Sequence, residues 1–250
     1  MHCHLCHTEQ KLCKSHIVPE FLYRDLYNGD HMMMGINGQG NKGWKPLQKG
    51  IREKLFCSDC EQHLNDKYEK PFLKQWLNEK PLPSQMSHNS LFSATYDYPT
   101  FKLFHLSILF RASVSSLSTF QEVDLGKHEK RINQMLLNED PGQDWEYPIL
   151  AFAVLNGNDV EKRLISQPIR GRHEGHRAYG QIYGGAMWWI LVSSHRNDLF
   201  CRAGLQPSGK INISAELWDE IGVIQNISAA LNPPASGKMS PHRTSAKKRT

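Results

Sequence analysis

The chain carries two Cys-x-x-Cys turns, Cys3 with Cys6 and Cys57 with Cys60. They lie about fifty residues apart, so a fold that uses both at one place must bring the intervening chain back on itself. Each turn offers two thiolates, and two such turns supply the four soft ligands of a closed tetrahedral zinc site. A zinc ion saturated by four cysteines has no position open for water or substrate, so its role is structural. A redox dithiol would stand near a βαβ unit, and no such pattern flanks either pair. The sequence has 6 cysteines and opens on histidines and cysteines rather than on a basic stretch followed by an apolar one. Reduced thiols and metal ligands are therefore expected in place of disulfides, and with them a cytoplasmic location. Cys13 is a spare thiol, and His2, His4 and His7 read as polar residues of an exposed loop.

With 250 residues the chain can bury a sizeable core, as one large domain or two smaller ones. Apolar content of 39% against 22% charged residues is ordinary for a globular protein. The longest apolar runs, at 149–155 and 186–192, are too short to cross a bilayer, so no membrane partner is expected. The net charge of +5 resides at the far end, where Lys238, Arg243, Lys247, Lys248 and Arg249 stand without an acid. Taking these from the 30 lysines and arginines leaves 25, equal to the 25 aspartates and glutamates, so the body of the chain is neutral. Residues 232–250, rich in Pro, Ser and Lys and without an apolar period, read as a disordered basic tail. Such a tail can hold a polyanion loosely through counterion release, or simply aid solubility.

Residues 1–80 contain both cysteine pairs. A short helix is expected after Pro19, then a glycine-rich loop or hairpin in HMMMGINGQGNKGW. IREKLF before Cys57 reads as a strand. EQHLNDKYEKPFLKQWLNE after Cys60 reads as a helix, with Leu64, Tyr68, Phe72, Trp76 and Leu77 at helical spacing and Pro71 expected to kink or interrupt it. KPLPSQMSHNS marks a boundary. Residues 90–231 include FKLFHLSILFRASVSSL, apolar on most faces and hence a buried helix, and a further helix in HEKRINQMLLNE. Strands are expected in YPILAFAVLNG, QIYGGAMWWILVSS and KINIS. The fold class is α+β, a small N-terminal module followed by a larger region of helices and antiparallel sheet.

If the four cysteines hold a closed zinc, chemistry must come from residues beside it. Glu61, Asn65 and Glu69 fall at i, i+4 and i+8 on one helical face. A carboxylate and an amide one turn apart can hold a hard divalent cation through oxygen, and His16 in KSHIVPEF can serve as a base near it. The order Cys-x-x-Cys, Ser-His-Ile-Val-Pro, then Leu-Phe-Cys-x-x-Cys-Glu opening a helix resembles the cysteine-containing branch of the HNH endonucleases, over roughly residues 1–75. The resemblance implies a zinc-braced, treble-clef-like ββα-metal module that hydrolyses a nucleic-acid phosphodiester, DNA first, with Mg²⁺ or Mn²⁺. It makes His16 the general base, Pro19 the strand-end proline, and Glu61 and Asn65 the ligands of the catalytic cation. Two departures stand out: Ser15 occupies the usual place of a metal-binding Asp or His, and Glu61 the usual place of Asn or His. His63 is an alternative ligand, about 200° round the helix from Glu61. The family's habits suggest a bacterial or phage-related defence role, with residues 90–231 positioning substrate, sensing a signal, or contacting a further copy or protein partner. The competing reading is a non-catalytic zinc module that binds nucleic acid or protein. The two differ in whether His16 stands beside the start of the helix that carries Glu61 and Asn65.

Other motifs carry less. His173-Glu174-Gly175-His176 spaces its histidines at i and i+3 among glycines, unlike the i, i+4 pair of a metalloprotease. The glycines of GQIYGGAM fit a turn into a buried strand and lack the Lys-Ser/Thr of a phosphate loop. Trp188 and Trp189 read as core and sheet-face residues, and His105 as a hydrogen-bonded core histidine. Arg111, Arg170, Arg172 and Arg177 could contact phosphates, or be surface charge.

Overall fold

The computed structural model describes residues 1–28, 30, 33–35, 45–47 and 49–221. Strand β1 (Leu12–His16) leads through Pro19 into a 3₁₀ turn at Glu20–Leu26, then to β2 (Met33–Gly35), β3 (Lys45–Leu47) and β4 (Arg52–Cys57). β1 pairs antiparallel with β4, setting Ser15 opposite Glu53 and His16 opposite Arg52. β2 and β3 pair antiparallel as the arms of a hairpin. The glycine-rich residues 36–44 that join them lie outside the described residues, as does the predicted disordered tail at 232–250.

Helix α1 (Ser58–Leu64) begins on the second cysteine turn. It continues through a π-helical turn at Asn65–Glu69, a short α2 (Lys70–Phe72), and a second π-helical stretch at Leu73–Glu79. One helical run thus covers the span that the apolar spacing predicts, and Pro71 does not end it. Pro71 has no N–H to donate, and its ring crowds the carbonyl of the preceding turn. The widened turn, in which the Lys70 N–H reaches the Asn65 carbonyl, accommodates both.

The rest of the described chain is mixed α and β. It runs β5 (Leu91–Thr95), α3 (Tyr98–Ser113), α4 (Lys127–Asn138), β6 (Ile149–Asn156), β7 (Asp159–Val160), β8 (Ile169–His173), β9 (His176–Tyr183), β10 (Ala186–Val192), α5 (Asp198–Ala203) and β11 (Lys210–Leu217). The strands form one sheet in the order β5-β11-β6-β10-β9-β8, with β7 on β6. All neighbours are antiparallel except β11 and β6. The three strand-bearing segments expected from sequence are β6, β9 with β10, and β11. The edge strands β5 and β8 have no apolar period to betray them, because each buries little on either face. Both tight hairpins of β9 turn on left-handed pairs, Glu174-Gly175 and Gly184-Gly185, the conformation that matches strand twist.

Helix α3 is buried from Phe101 to Ala112 because it has neighbours on opposite sides. Phe72 stacks on Phe104 with ring centroids 3.7 Å apart, and His105 lies against Trp188 of β10 at 4.1 Å. Trp76 meets Trp188 edge-on at 4.9 Å, and its Nε1–H donates to the Gly184 carbonyl at 3.1 Å. Leu5, Phe56, Phe72, Phe104, Tyr183 and Trp188 belong to one continuous apolar core. No helix among the described residues is long and apolar enough to cross a membrane. Because Trp76 joins the 58–79 helical run to both α3 and the sheet, Trp76→Ala is expected to lower unfolding stability by about 3–5 kcal/mol, measured by chemical denaturation.

Candidate functional site

The first cysteine turn closes on itself through Cys3 N–H to Thr8 O at 3.0 Å and His7 N–H to Cys3 O at 2.9 Å, with His7 in the left-handed region at φ 59°. His4 N–H bonds the Leu55 carbonyl on β4 at 3.1 Å, and Cys57 N–H points at Cys3 Sγ at 3.3 Å. The two turns therefore meet at the end of the β1–β4 hairpin. The four sulfurs all lie within 4.8 Å of one another, and those of Cys6 and Cys57 are 3.8 Å apart. Ligands at about 2.3 Å from a tetrahedral zinc are about 3.8 Å from each other, so the cluster has the dimensions of a four-thiolate zinc site. Burial pushes the Cys57 and Cys60 thiols up. Burial also acts to raise Cys6, but hydrogen bonds from Thr8, Cys3 and Cys60 draw it down to about 6. His2, His4 and His7 are exposed around the turn.

Elements beyond residue 80 hold this cluster in place. The Asn133 amide on α4 donates to the His4 and Leu5 carbonyls at 3.2 and 2.9 Å. Tyr68 and His63 both bond the Leu136 carbonyl, at 2.6 and 2.9 Å. His63 is thereby committed to α4, on the side of α1 away from Glu61.

A second group of polar side chains gathers where β1, the π turn and α3 meet. Arg111, 1% exposed, donates from Nη2 to Glu69 Oε1 at 2.5 Å. Its Nε and Nη1 have no hydrogen-bond partner, and neither does Ser15 Oγ, Glu61 Oε1 or His16 Nε2. The His16 Nε2 is 2.8 Å from Glu20 Oε2, out of line with the ring N–H. Burial lowers the His16 pKa, Glu20 and Glu69 oppose this, and Arg52 and Arg111 reinforce it. Burial raises the Glu61 carboxyl, and Glu69 adds to the rise, while Arg111 and the Ser15 hydroxyl act to lower it. His16 and Glu61 thus share Arg111 and Glu69 as electrostatic neighbours.

Local structure explains this convergence. Residues eight apart drift about 80° round a pure α-helix. The wider turn at Asn65–Glu69 advances less per residue and draws Glu69 back toward the Glu61 face. The end of α3 is tied to β4, since Glu53 accepts from Ser115 Oγ at 2.5 Å and from Ser116 N–H at 3.1 Å. Asn65 stands at the change from α to π geometry, half-buried, with its amide 3.4 Å from Asp66 Oδ1 on the exposed side. Glu69 shares the helical face noted in the sequence, and its direct engagement with Arg111 is new. Arg111 is the member that the sequence leaves between a phosphate contact and surface charge; its burial and its pairing with Glu69 appear only in the fold.

Other motifs take ordinary places. His105 is fully buried and bonded to Tyr183 Oη at 2.5 Å, Trp188 is core, and His173 and His176 flank a two-residue turn. Among the described residues, His88, Glu216 and Glu220 also bring ligand atoms within 4.8 Å of one another, with Glu220 exposed and the other two half-buried. No family model matches the chain, and neither a curated protein nor a solved structure matches it.

Thiols must shed protons to bind metal, and those of Cys57 and Cys60 are held up by burial, so zinc affinity is expected to rise with pH and fall on acidification. Colorimetric titration of the released metal should find about one zinc per chain, and Cys60→Ser should release it at a higher pH than the wild type.

Proposed function

We propose that the chain is a metal-dependent endonuclease of HNH type, acting on nucleic-acid phosphodiesters and most directly on DNA. The observation that carries this reading is the grouping of His16 and Glu61 around Arg111 and Glu69, on a strand pair and helix that meet at a four-thiol cluster. The order strand, strand, helix with a cysteine turn before the first strand and another at the start of the helix supports a zinc-braced ββα-metal module, in which zinc is structural. Ser15 Oγ and the Glu61 carboxylate are neighbouring buried oxygens, a donor set that fits a hard cation such as Mg²⁺ or Mn²⁺ once the Ser15 hydroxyl turns its proton away from Glu61. Glu61 would hold it with Ser15, and with Asn65 if its amide turns from Asp66; the cation supplies positive charge to the phosphate and leaving oxygens.

His16 supplies the base. Because burial lowers its pKa, the imidazole is neutral at pH 7 and can take a proton from water as that water's oxygen bonds to phosphorus. The bond from phosphorus to the leaving oxygen breaks, and that oxygen acquires a proton from solvent. A second reading, a non-catalytic zinc module that binds nucleic acid or protein, is favoured by the Asn65 amide facing Asp66 and by the cation Arg111 already paired with Glu69.

Plasmid nicking with Mg²⁺ or Mn²⁺ tests the choice. His16→Ala is expected to slow nicking about 10²- to 10⁴-fold with the fold retained. In the wild type, activity should be lost only as pH falls through a value below the ordinary histidine pKa, since the working form is the neutral one and burial extends its range downward. Equal rates in wild type and variant would remove the catalytic reading, and duplex binding without nicking under either metal would favour the binding module.

A further inference from the structure

We propose that Arg111, which lies on α3 and outside the stretch resembling the nuclease motif, grips a phosphate oxygen of the nucleic-acid backbone. This rests on the reading of the group formed by His16, Glu61, Arg111 and Glu69 as a phosphodiester site. Arg111 is 1% exposed and at the end of a buried helix, so it lacks the solvent that satisfies surface arginines, and unlike Lys102 on the same helix its donors are mostly unmatched. A guanidinium has five N–H donors on a rigid plane, and buried polar groups are ordinarily hydrogen-bonded. Here Glu69 takes only Nη2, while Nε and Nη1 have no acceptor.

The groups that feel the Arg111 charge are those of the proposed reaction. His16 and Glu61 both lie within electrostatic reach of Arg111, and Ser15, 0% exposed, sets its hydroxyl beside Glu61. A clasp that served only to join α3 to the π turn would need the Glu69 contact and nothing more. The guanidinium is also positioned rather than loose, since Glu69 fixes its tip and the Glu53 bonds to Ser115 and Ser116 fix the helix end just beyond it. A planar fork with unsatisfied donors, sharing its surroundings with a base and a carboxylate, is the equipment for an oxyanion, and phosphate is the oxyanion that a phosphodiester site would meet.

The experiment measures binding of a short DNA duplex to the full, zinc-loaded chain in Ca²⁺, across a range of salt, with thermal melting as the check on folding. Arg111→Gln is expected to weaken binding about tenfold and to make the slope of log K against log[salt] shallower by about 0.9, the loss of one phosphate contact. Arg111→Lys keeps the charge and loses the fork, so the slope stays and affinity drops about threefold. Glu69→Gln breaks the same ion pair but keeps the cation, and should bind at least as tightly as wild type. Wild-type slope and affinity in a folded Arg111→Gln would overturn the proposal, as would equal losses in Arg111→Gln and Glu69→Gln, or no binding by the wild type. If Arg111→Gln does not melt as a folded protein, Arg111→Lys decides: wild-type affinity overturns the proposal, and weaker binding at the same slope supports it. Binding is read without cleavage, so a flattened slope together with failed nicking would leave the phosphate grip standing and remove the catalytic reading. Nicking with unaltered slope and affinity in Arg111→Gln would do the reverse.

Discussion

The contact between the helical run at 58–79 and α3 fixes nearly everything else. Phe72 lies flat on Phe104, and Trp76 reaches past α3 to Trp188 and the Gly184 carbonyl, so the far half of the run is locked into the sheet core. Its near end starts at Cys57 and Cys60, so the same rigid element sets where the second pair of thiols meets the first. Midway, the π turn rotates Glu69 toward the face that bears Glu61 and opposite Arg111. A plain α-helix of the same length would turn the far half of the run relative to the cysteine end, and with it Glu69. Widened turns of this kind are uncommon and recur at functional sites.

Burial of charge in that middle region is costly. Removing an ion from water costs several kcal/mol even after relaxation, and replacing a buried ion pair by apolar residues often stabilises a protein. Leucines at 69 and 111 would serve the packing of α3 against the helix well. The contrast with the rest of the core is informative, because the polar atoms there are mostly spoken for. Tyr68 bonds the Leu136 carbonyl, Lys102 bonds Tyr98 and Gln143, and Asn133 bonds the first cysteine turn. His105 and Gln181 each retain one unpartnered atom, but both already bond the Tyr183 hydroxyl and have no ion pair, and His173 Nε2 stands apart from them at a hairpin turn. Around Arg111 the unpartnered atoms are clustered, charged and chemically diverse, which is the pattern that structure alone does not call for.

Legibility in the sequence followed the range of the physics. Ligand chemistry acts over a few residues, so Cys3, Cys6, Cys57 and Cys60 could be grouped before any fold was known, and they come together. Periodicity acts over one element, so the 58–79 helix, α3, α4 and the buried strands β6, β9, β10 and β11 were readable, while the weakly buried edges β5 and β8 were not. His16 and Glu61 were nominated by local pattern, and their shared surroundings came from elsewhere. Arg111 follows Glu61 by fifty residues, on a helix whose spacing says only that it is buried. Nothing local marks that it ends against Glu69, because that placement depends on the π turn, on Phe72 against Phe104, and on the Glu53 tie to Ser115. Sequence reading also gave no sign that Asn133 would hold the first cysteine turn, since that bond links the start of the chain to a helix beyond residue 126.

The same dependence shapes the electrostatics of the pocket. Burial alone acts oppositely on a base and an acid: it keeps His16 neutral, which suits a proton acceptor, but it also favours the protonated form of Glu61, which suits no cation. Glu69 makes both problems worse by raising both groups, while Arg111 lowers both. Burial sets the direction for both groups; Arg111 adds to the lowering of His16 and opposes the rise of Glu61, and its pairing with Glu69 sets it against the one neighbour that raises both. A lysine in its place, with a desolvation-sensitive charge of its own, would do this less dependably than a group that stays charged when buried. The electrostatic surroundings of His16 and Glu61 thus include a side chain from α3, and they are a property of the whole fold rather than of the cysteine-bearing stretch alone.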